Sequence, residues 1–222
     1  MGKGLIEALA SMQKQATNNE YIRRLSLKDG ESAIVRFLES SEDMRFANVY
    51  QLPPRGNQKY GQFVPTLDVD GDGSVCPFRD NLEQTPRVRI FMNMIWRDAP
   101  KTSKTDSGRW EVVGKEDAVV LWEQGAKTLQ SLLVLDKDFG LTSRDFRITR
   151  TGSGTQTNYI ITPAADASEM SDSDKKLKDE AYDLNKFVTP PSRDEALKML
   201  GITKQSFEEE AYAKSDDDNL FL

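Results

Sequence analysis

The 222-residue sequence contains no histidine and only one cysteine, Cys76. These two absences exclude a disulfide framework, a Cys/His zinc finger and any Ser-His or Cys-His catalytic pair. The sequence also lacks a P-loop pattern and a dinucleotide-binding glycine fingerprint. We therefore expect no enzymatic activity, no metal site and no cofactor.

Long apolar runs are absent as well. No stretch of about 18 apolar residues occurs, so no membrane-spanning helix is predicted, and residues 1–20 lack the apolar core of a secretory signal. Residues 68–73 resemble the opening of an EF-hand loop, but Arg79 occupies the position of the final carboxylate ligand. We expect a polar turn there. The single cysteine, with no partner for a disulfide, also fits a protein that works in a reducing cytosol.

Charge is unevenly distributed along the chain. Residues 1–165 hold 22 Lys and Arg against 21 Asp and Glu, whereas residues 166–222 hold 8 against 15. The net charge of −6 therefore belongs mostly to the C-terminal region. A nearly neutral body can bind nucleic acid, which a uniformly acidic protein would repel.

The end of the sequence combines acidic and apolar residues: Asp216, Asp217, Asp218, Leu220, Phe221 and Leu222. Such a segment cannot fold alone, because it buries nothing and its charges repel one another. It suits a partner whose pocket takes the apolar side chains and whose basic rim meets the carboxylates. A solvated, frayed end is the alternative interpretation.

Hydrophobic periodicity and turn residues predict a mainly β body with helical additions. Strands are expected at residues 32–38, 45–52, 86–97, 119–122, 145–149 and 156–161, with a hairpin over 21–38 that turns at Gly30. Helices are expected at residues 3–16, 123–135, 192–200 and 204–213, the third beginning with a Ser192–Glu195 capping box. Residues 53–85 are interpreted as a long loop and residues 163–178 as linker.

The predicted organisation has five parts. Residues 1–20 form a helical arm, 21–165 the core, 166–190 a linker, 191–213 short helices and 214–222 the partner-binding tail. Short strands with turns between them and one intervening helix favour a small, strongly curved barrel.

The strand at residues 86–97 carries the clearest functional signal. Side chains alternate between the two faces of a strand, so one face holds Val88, Ile90, Met92, Met94 and Trp96 and should lie in the core. The other face holds Arg87, Arg89, Phe91, Asn93, Ile95 and Arg97 and should meet water. Arginines pair with phosphates, and an exposed aromatic ring offers a surface on which an unpaired base can stack.

Several segments together resemble the single-stranded DNA-binding proteins of tailed phages, of the T-even type. They occur in the family's order: residues 5–14 (LIEALASMQK), 30–40 (GESAIVRFLES), 75–78 (VCPF), 89–100 (RIFMNMIWRDAP), 119–135, 144–161 and the acidic tail. The family carries a Cys-Pro-x-Cys zinc knuckle near residues 75–78, and here only Cys76 is present. The long loop must therefore be held by packing.

The resemblance implies an OB-like five-stranded barrel that binds single-stranded DNA without sequence preference during phage replication, recombination and repair in the host cytoplasm. It implies that the tail recruits replication and recombination proteins and that the N-terminal arm mediates self-association. The expected DNA-binding residues are Arg36, Lys59, Tyr60, Arg87, Arg89, Phe91, Asn93, Trp96, Arg97, Arg147 and Tyr159.

Within this set, the arginines are expected to bind phosphates and the aromatic residues to stack on bases. Trp96 belongs to the core face by alternation, although its place at the strand end would allow one ring edge to be exposed. A phage structural or assembly protein that binds no nucleic acid is the alternative, and an RNA-binding OB module is a lesser one.

Overall fold

The computed structural model describes residues 22–54, 61–67, 76–105 and 109–202. Several sequence predictions concern residues outside these ranges: the helices at 3–16 and 204–213, Lys59 and Tyr60, the acidic stretch 68–73 and the tail at 214–222. None of the described helices is both long enough and apolar enough to cross a membrane.

The described chain is mainly β, which confirms the predicted fold class at that level. The strands are β1 (Ser32–Phe37), β2 (Arg45–Gln51), β3 (Phe63–Pro65), β4 (Arg87–Lys104), β5 (Trp110–Gly125), β6 (Asp145–Thr151) and β7 (Asn158–Pro163). The helices are α1 (Pro77–Leu82), α2 (Ala126–Phe139), α3 (Asp172–Lys178), α4 (Asn185–Val188) and α5 (Arg193–Leu200), with short 3-10 turns at Leu141–Ser143 and Gly154–Gln156.

All seven strands belong to one antiparallel sheet organised around β4. One edge of β4 pairs with β5. The other edge pairs with β2 over Arg87–Phe91 and with β1 over Met94–Trp96. The order across the sheet is β3-β2-β4-β1-β6-β7, with β5 on the remaining edge of β4. The strand count is therefore seven in the described part, against the five expected for the barrel.

The predicted core face of β4 is confirmed for its central residues, whereas Val88, also expected on that face, is 37% exposed. Ile90, Met92 and Met94 are at most 1% exposed and pack with side chains of β1, β5, β6 and α2 in the main hydrophobic cluster. Phe37 of β1 lies at the centre, with its ring 6.1 Å from Trp122 and 5.5 Å from Phe146. Full burial of one such side chain contributes about 1.5–3 kcal/mol.

The opposite face of β4 is also covered, by a segment that we call the C-terminal strap and define as residues 168–188. Apolar strap side chains, Met170, Leu177 and Tyr182 among them, pack on Leu38, Ile95 and Val119. Leu184 and Phe187 pack on Phe91 and Leu121. All of this segment falls within the predicted linker at residues 166–190, but it contains α3 and α4 and lies against the sheet.

The predicted hairpin over residues 21–38 is wrong, because β1 pairs with β4 and β6. The turn itself is present, with Gly30 at φ +78°, a backbone conformation that favours glycine. Residues before the turn instead run beside β5, where Arg24 forms an isolated parallel bridge with Leu121. A turn signal is local, whereas the choice of partner strand depends on distant residues.

The stretch at residues 53–85 is not structureless throughout, since it contains β3 and α1. Cys76, Phe78 and Val64 are buried with Tyr50 of β2 and Ala196 of α5. The predicted helix after Ser192 is confirmed: the Ser192–Glu195 capping box is present, and Gly201 ends α5 at φ +76°. This cluster holds α5 beside β2 and β3, where it forms part of the cleft described below.

Candidate nucleic-acid interface

A cleft of about 660 Å³ opens between β3, the first half of β4, the end of β5 and residues 186–199. We call it the aromatic cleft, because three phenylalanines contribute to its lining. The residues that matter here are Arg24, Phe63, Phe91, Glu123, Lys186 and Phe187. Its volume lies within the range of about 300–1,000 Å³ that is usual for ligand sites.

Arg89 connects the predicted DNA-binding strand to this cleft. Its guanidinium carbon lies 4.2 Å from the centre of the Phe63 ring, a cation–π arrangement. The Arg89 side chain is 24% exposed, so an anion can reach it. Arg87, two residues earlier on the same strand face, is exposed. Two predicted phosphate-binding residues thus lie on one surface beside the cleft.

Phe91 was expected on the solvent face, and this expectation is wrong. It is only 4% exposed, and its ring stacks on Phe187 of the strap at 5.8 Å with an angle of 15° between the planes. Phe91 still contributes to the lining of the cleft. Phe187 therefore covers the ring face of Phe91. The Phe187 ring is itself only half-buried and forms the outer ring of the stacked pair.

Asn93 was also expected to face water, but it is 1% exposed. Its amide nitrogen donates to Glu39 Oε1 at 2.8 Å and to the Tyr182 carbonyl at 3.0 Å, and its oxygen accepts from the Tyr182 amide at 3.1 Å. Burial raises the pKa of Glu39, although the hydrogen bonds from Asn93 oppose the rise. Asn93 therefore fastens the strap to β4 and presents no group to a ligand.

Arg36 and Arg97 do not offer the open cationic surface that was expected. Arg36 is 3% exposed and donates to the carbonyl oxygens of Thr142 and Ser168. Arg97 donates to Asp174 at 2.6 and 3.0 Å, and also to Asp145 and Asp117. The ion pair with Asp174 holds the pKa of Arg97 above its ordinary value. Both arginines are used to bind the strap.

The remaining predicted residues lie apart from the cleft. Tyr159 packs edge-to-face on Trp122 at 5.5 Å, on the core side of the sheet, and Trp96 is partly buried against the same core. Arg147 is exposed on β6 and pairs with Ile34 and Thr162. The structure thus brings Arg87, Arg89 and Phe91 together and separates these other three from them.

Sequence reasoning missed several residues of the cleft: Arg24, Phe63, Glu123, Lys186 and Phe187. Phe63 lies in a stretch without periodicity, and Lys186 and Phe187 lie in the segment interpreted as linker, so no local signal marked them. Phe46 was not among the predicted site residues, yet it is 70% exposed on β2 and lines a separate apolar groove of about 400 Å³.

The described residues contain no group of three or more His, Cys, Asp or Glu side chains placed to hold a metal ion. Cys76 is buried, with its sulfur 3.7 Å from the Thr66 hydroxyl. The sequence matches no family model, and no curated protein matches it. The function must therefore be inferred from the cleft and from the sequence resemblance.

Proposed function

We propose that the protein binds single-stranded DNA without strict sequence preference and that the strand passes along the aromatic cleft. The observation that carries this proposal is the Arg89 guanidinium over the Phe63 ring at a cleft lined by further phenylalanines and cations. A cationic path with aromatic stacking surfaces is the arrangement that proteins use to bind single strands.

In this proposal, phosphates follow the cations and bases stack on the rings. Arg24, Arg87, Arg89 and Lys186 supply positive charge around the cleft, and Phe63 and Phe187 supply partly exposed rings. A base stacked on an aromatic side chain contributes about 1–3 kcal/mol. Lys59 and Tyr60, expected from the sequence to bind DNA, directly precede Gly61, which lines the cleft.

The OB-like barrel is part of the same proposal. A shift in the pairing register occurs in β4 between Trp96 and Ala99, and β4 pairs with three strands along its length. Bulges and shared strands bend a sheet and are common where barrels curve. Closure would require an edge strand of the described sheet to pair with another edge.

The biological role is proposed from the resemblance: coating single strands during phage DNA replication, recombination and repair in the host cytoplasm. The acidic tail would recruit the enzymes of these processes, and residues 1–20 would mediate contact between neighbouring copies. These steps involve residues outside the described ranges, so they call for separate binding experiments with the full chain.

The test is a fluorescence anisotropy titration of labelled oligo-dT at several salt concentrations. We expect tighter binding to single strands than to duplex, and a plot of log affinity against log salt with a slope of about −0.7 for each phosphate neutralised. Arg89→Gln should weaken binding about tenfold, as for the loss of a charge-assisted contact of about 1.5 kcal/mol.

Arg144→Gln is the matched control, because Arg144 also lies over a phenylalanine, Phe139, at 5.3 Å but does so away from the cleft. It should leave affinity nearly unchanged. Equal losses for the two variants would reject the cleft as the DNA path. No binding of any oligonucleotide would reject the function and favour the structural or assembly alternative.

A further inference from the structure

Phe46 is the most exposed large apolar side chain in the described part of the chain, with 70% of it accessible to solvent. It lies on β2, opposite Ile90 of β4 in the strand register. Together with Val88, which is 37% exposed, it lines the apolar groove of about 400 Å³, which we call the Phe46 groove. A single exposed apolar side chain is ordinary, but an exposed ring that belongs to a continuous apolar groove marks an interaction site.

The Phe46 groove differs from the aromatic cleft in the charge of its lining. β2, β3, β4, α2 and residues 188–190 contribute to the groove, and none of its described lining residues carries a carboxylate. The lining of the cleft, in contrast, includes Glu123 and Glu195. The groove therefore has no negative charge in its lining that would repel a phosphate.

A thin wall separates the groove from the cleft. Pro65 of β3 lines both of them. Along residues 187–191 the lining alternates: Val188 and Pro190 face the groove, whereas the residues between and beside them face the cleft. A ligand that fills the cleft can therefore continue into the groove by crossing this one segment.

Exposed cations border the groove on four of its lining elements. Each lies one or two residues before an apolar lining residue: Arg45 before Phe46, Arg87 before Val88, Lys127 before Leu129 and Lys186 before Val188. Arg45 donates to the Asn185 side-chain oxygen at 3.3 Å and to the Asp43 carbonyl at 3.0 Å, both of them neutral groups. These hydrogen bonds leave its positive charge uncompensated.

An apolar groove bordered by cations suits a ligand that joins flat apolar groups through anionic ones, and single-stranded DNA is such a ligand. We propose that the strand continues from the aromatic cleft across residues 187–191 into the Phe46 groove, where one base stacks on Phe46. This inference rests on the proposed binding of single-stranded DNA and adds a second stacking site to it. Arg87 and Lys186, which lie beside both pockets, bind the phosphates between the two sites.

The experiment measures the binding of a labelled twelve-nucleotide oligo-dT by anisotropy. Phe46→Ala should weaken binding about fivefold or more, as for the loss of one stacked base. Phe46→Leu should weaken it to a similar extent, because leucine is apolar but has no flat ring, whereas Phe46→Trp should retain the native affinity. Because Phe46 is mostly exposed, these variants should keep the native melting temperature.

Phe139→Ala is the matched control. Phe139 is 39% exposed at the end of α2, ten residues and about 15 Å beyond Leu129 along the helix. Its replacement should leave the affinity for oligo-dT unchanged. Stacking on a base quenches indole fluorescence, so oligo-dT should quench the added fluorophore of Phe46→Trp more strongly than that of Phe139→Trp.

Native affinity in Phe46→Ala would overturn the inference, and so would equal quenching in the two tryptophan variants. A loss in Phe46→Ala that leucine restores would also overturn it, because a leucine side chain cannot stack on a base. If Phe46→Ala instead changes the oligomeric state in sedimentation experiments at native DNA affinity, the groove belongs to a second copy of the chain. Failure of the native protein to bind any strand would reject the proposed function itself, whereas weaker binding by Arg89→Gln but not by Phe46→Ala would reject only the second site.

Discussion

Asp174 fastens the C-terminal strap to the sheet, and Asp174→Asn should therefore destabilise the protein strongly. The Asp174 side chain is 3% exposed, accepts from Arg97 at 2.6 and 3.0 Å and lies 3.7 Å from Arg36, which is equally buried. Asparagine keeps the shape of aspartate but removes its charge. Two arginine side chains would then lose the charge of a carboxylate that is itself shielded from water.

Removing one partner from a buried ion pair costs about 3–5 kcal/mol. Arg97 keeps its contacts with Asp117 and Asp145 in the variant, so we expect the lower end, about 3 kcal/mol. With an m value of about 2 kcal/mol per molar urea, the unfolding midpoint should fall by about 1.5 M. Local opening of the strap should also make residues 168–188 more sensitive to proteases.

The effect should depend on pH in a defined direction. Arg97 holds the pKa of Asp174 below its ordinary value of 3.8. The stability that this carboxylate contributes is therefore complete above that value and is lost as the pH falls through the lower pKa of the folded state. The difference between the urea unfolding midpoints of the native protein and the variant should reach its maximum at neutral pH and should shrink below about pH 4.

Asp172→Asn provides the matched control on the same helix. Asp172 is 95% exposed and pairs with Lys175 at 3.3 Å, and exposed pairs of this kind contribute little to stability. Urea unfolding followed by tryptophan fluorescence should show a large midpoint shift for Asp174→Asn and a small one for Asp172→Asn. Equal shifts, or no shift for Asp174→Asn, would refute the role assigned to the strap contact.

Three further predictions concern stability and the tail. Phe91→Ala should lower the free energy of unfolding by about 3–5 kcal/mol. In thermal unfolding it should match Met92→Ala within error, because both side chains are buried, on opposite faces of β4; a much smaller loss for Phe91→Ala would show that its face is open. Gly61→Ala should lower the melting temperature, because the added Cβ would lie 1.7 Å from the Leu52 carbonyl oxygen, and an unchanged value would contradict this contact. Removing residues 214–222 should strengthen DNA binding at low salt, with a gain that fades as salt screens the acidic tail; an unchanged low-salt affinity in the same titration would argue against competition by the tail.

Local patterns made part of the fold predictable. The burial of Ile90, Met92 and Met94 in β4 follows from strict alternation. The β6–β7 hairpin follows from two short strands around glycines, and the start of α5 from the Ser192 and Glu195 side chains. Each of these depends on residues close together in sequence. The partners of β1 and the cover over β4 depend on distant segments, and the sequence carried no local signal for them.

The candidate site was predictable to a similar extent. Alternation correctly placed Arg87, Arg89 and Phe91 on one face of β4, but it could not show that a strap some 90 residues later would cover the ring of Phe91. Asn93 illustrates the same limit, because its side-chain amide can form hydrogen bonds with a DNA base or with the protein backbone equally well. Phe63 and Phe187 reach the cleft through tertiary packing alone.

The most direct test of the central claim is hydrogen–deuterium exchange of the full chain with and without a saturating thymidine oligonucleotide. The proposed path predicts slower exchange at residues 61–67, 87–91 and 186–191, which border the aromatic cleft, and little change in β6 and β7. Protection confined to β6 and β7, or to the groove beside Phe46, would contradict the assignment of the cleft. Unchanged exchange throughout would contradict single-strand binding itself.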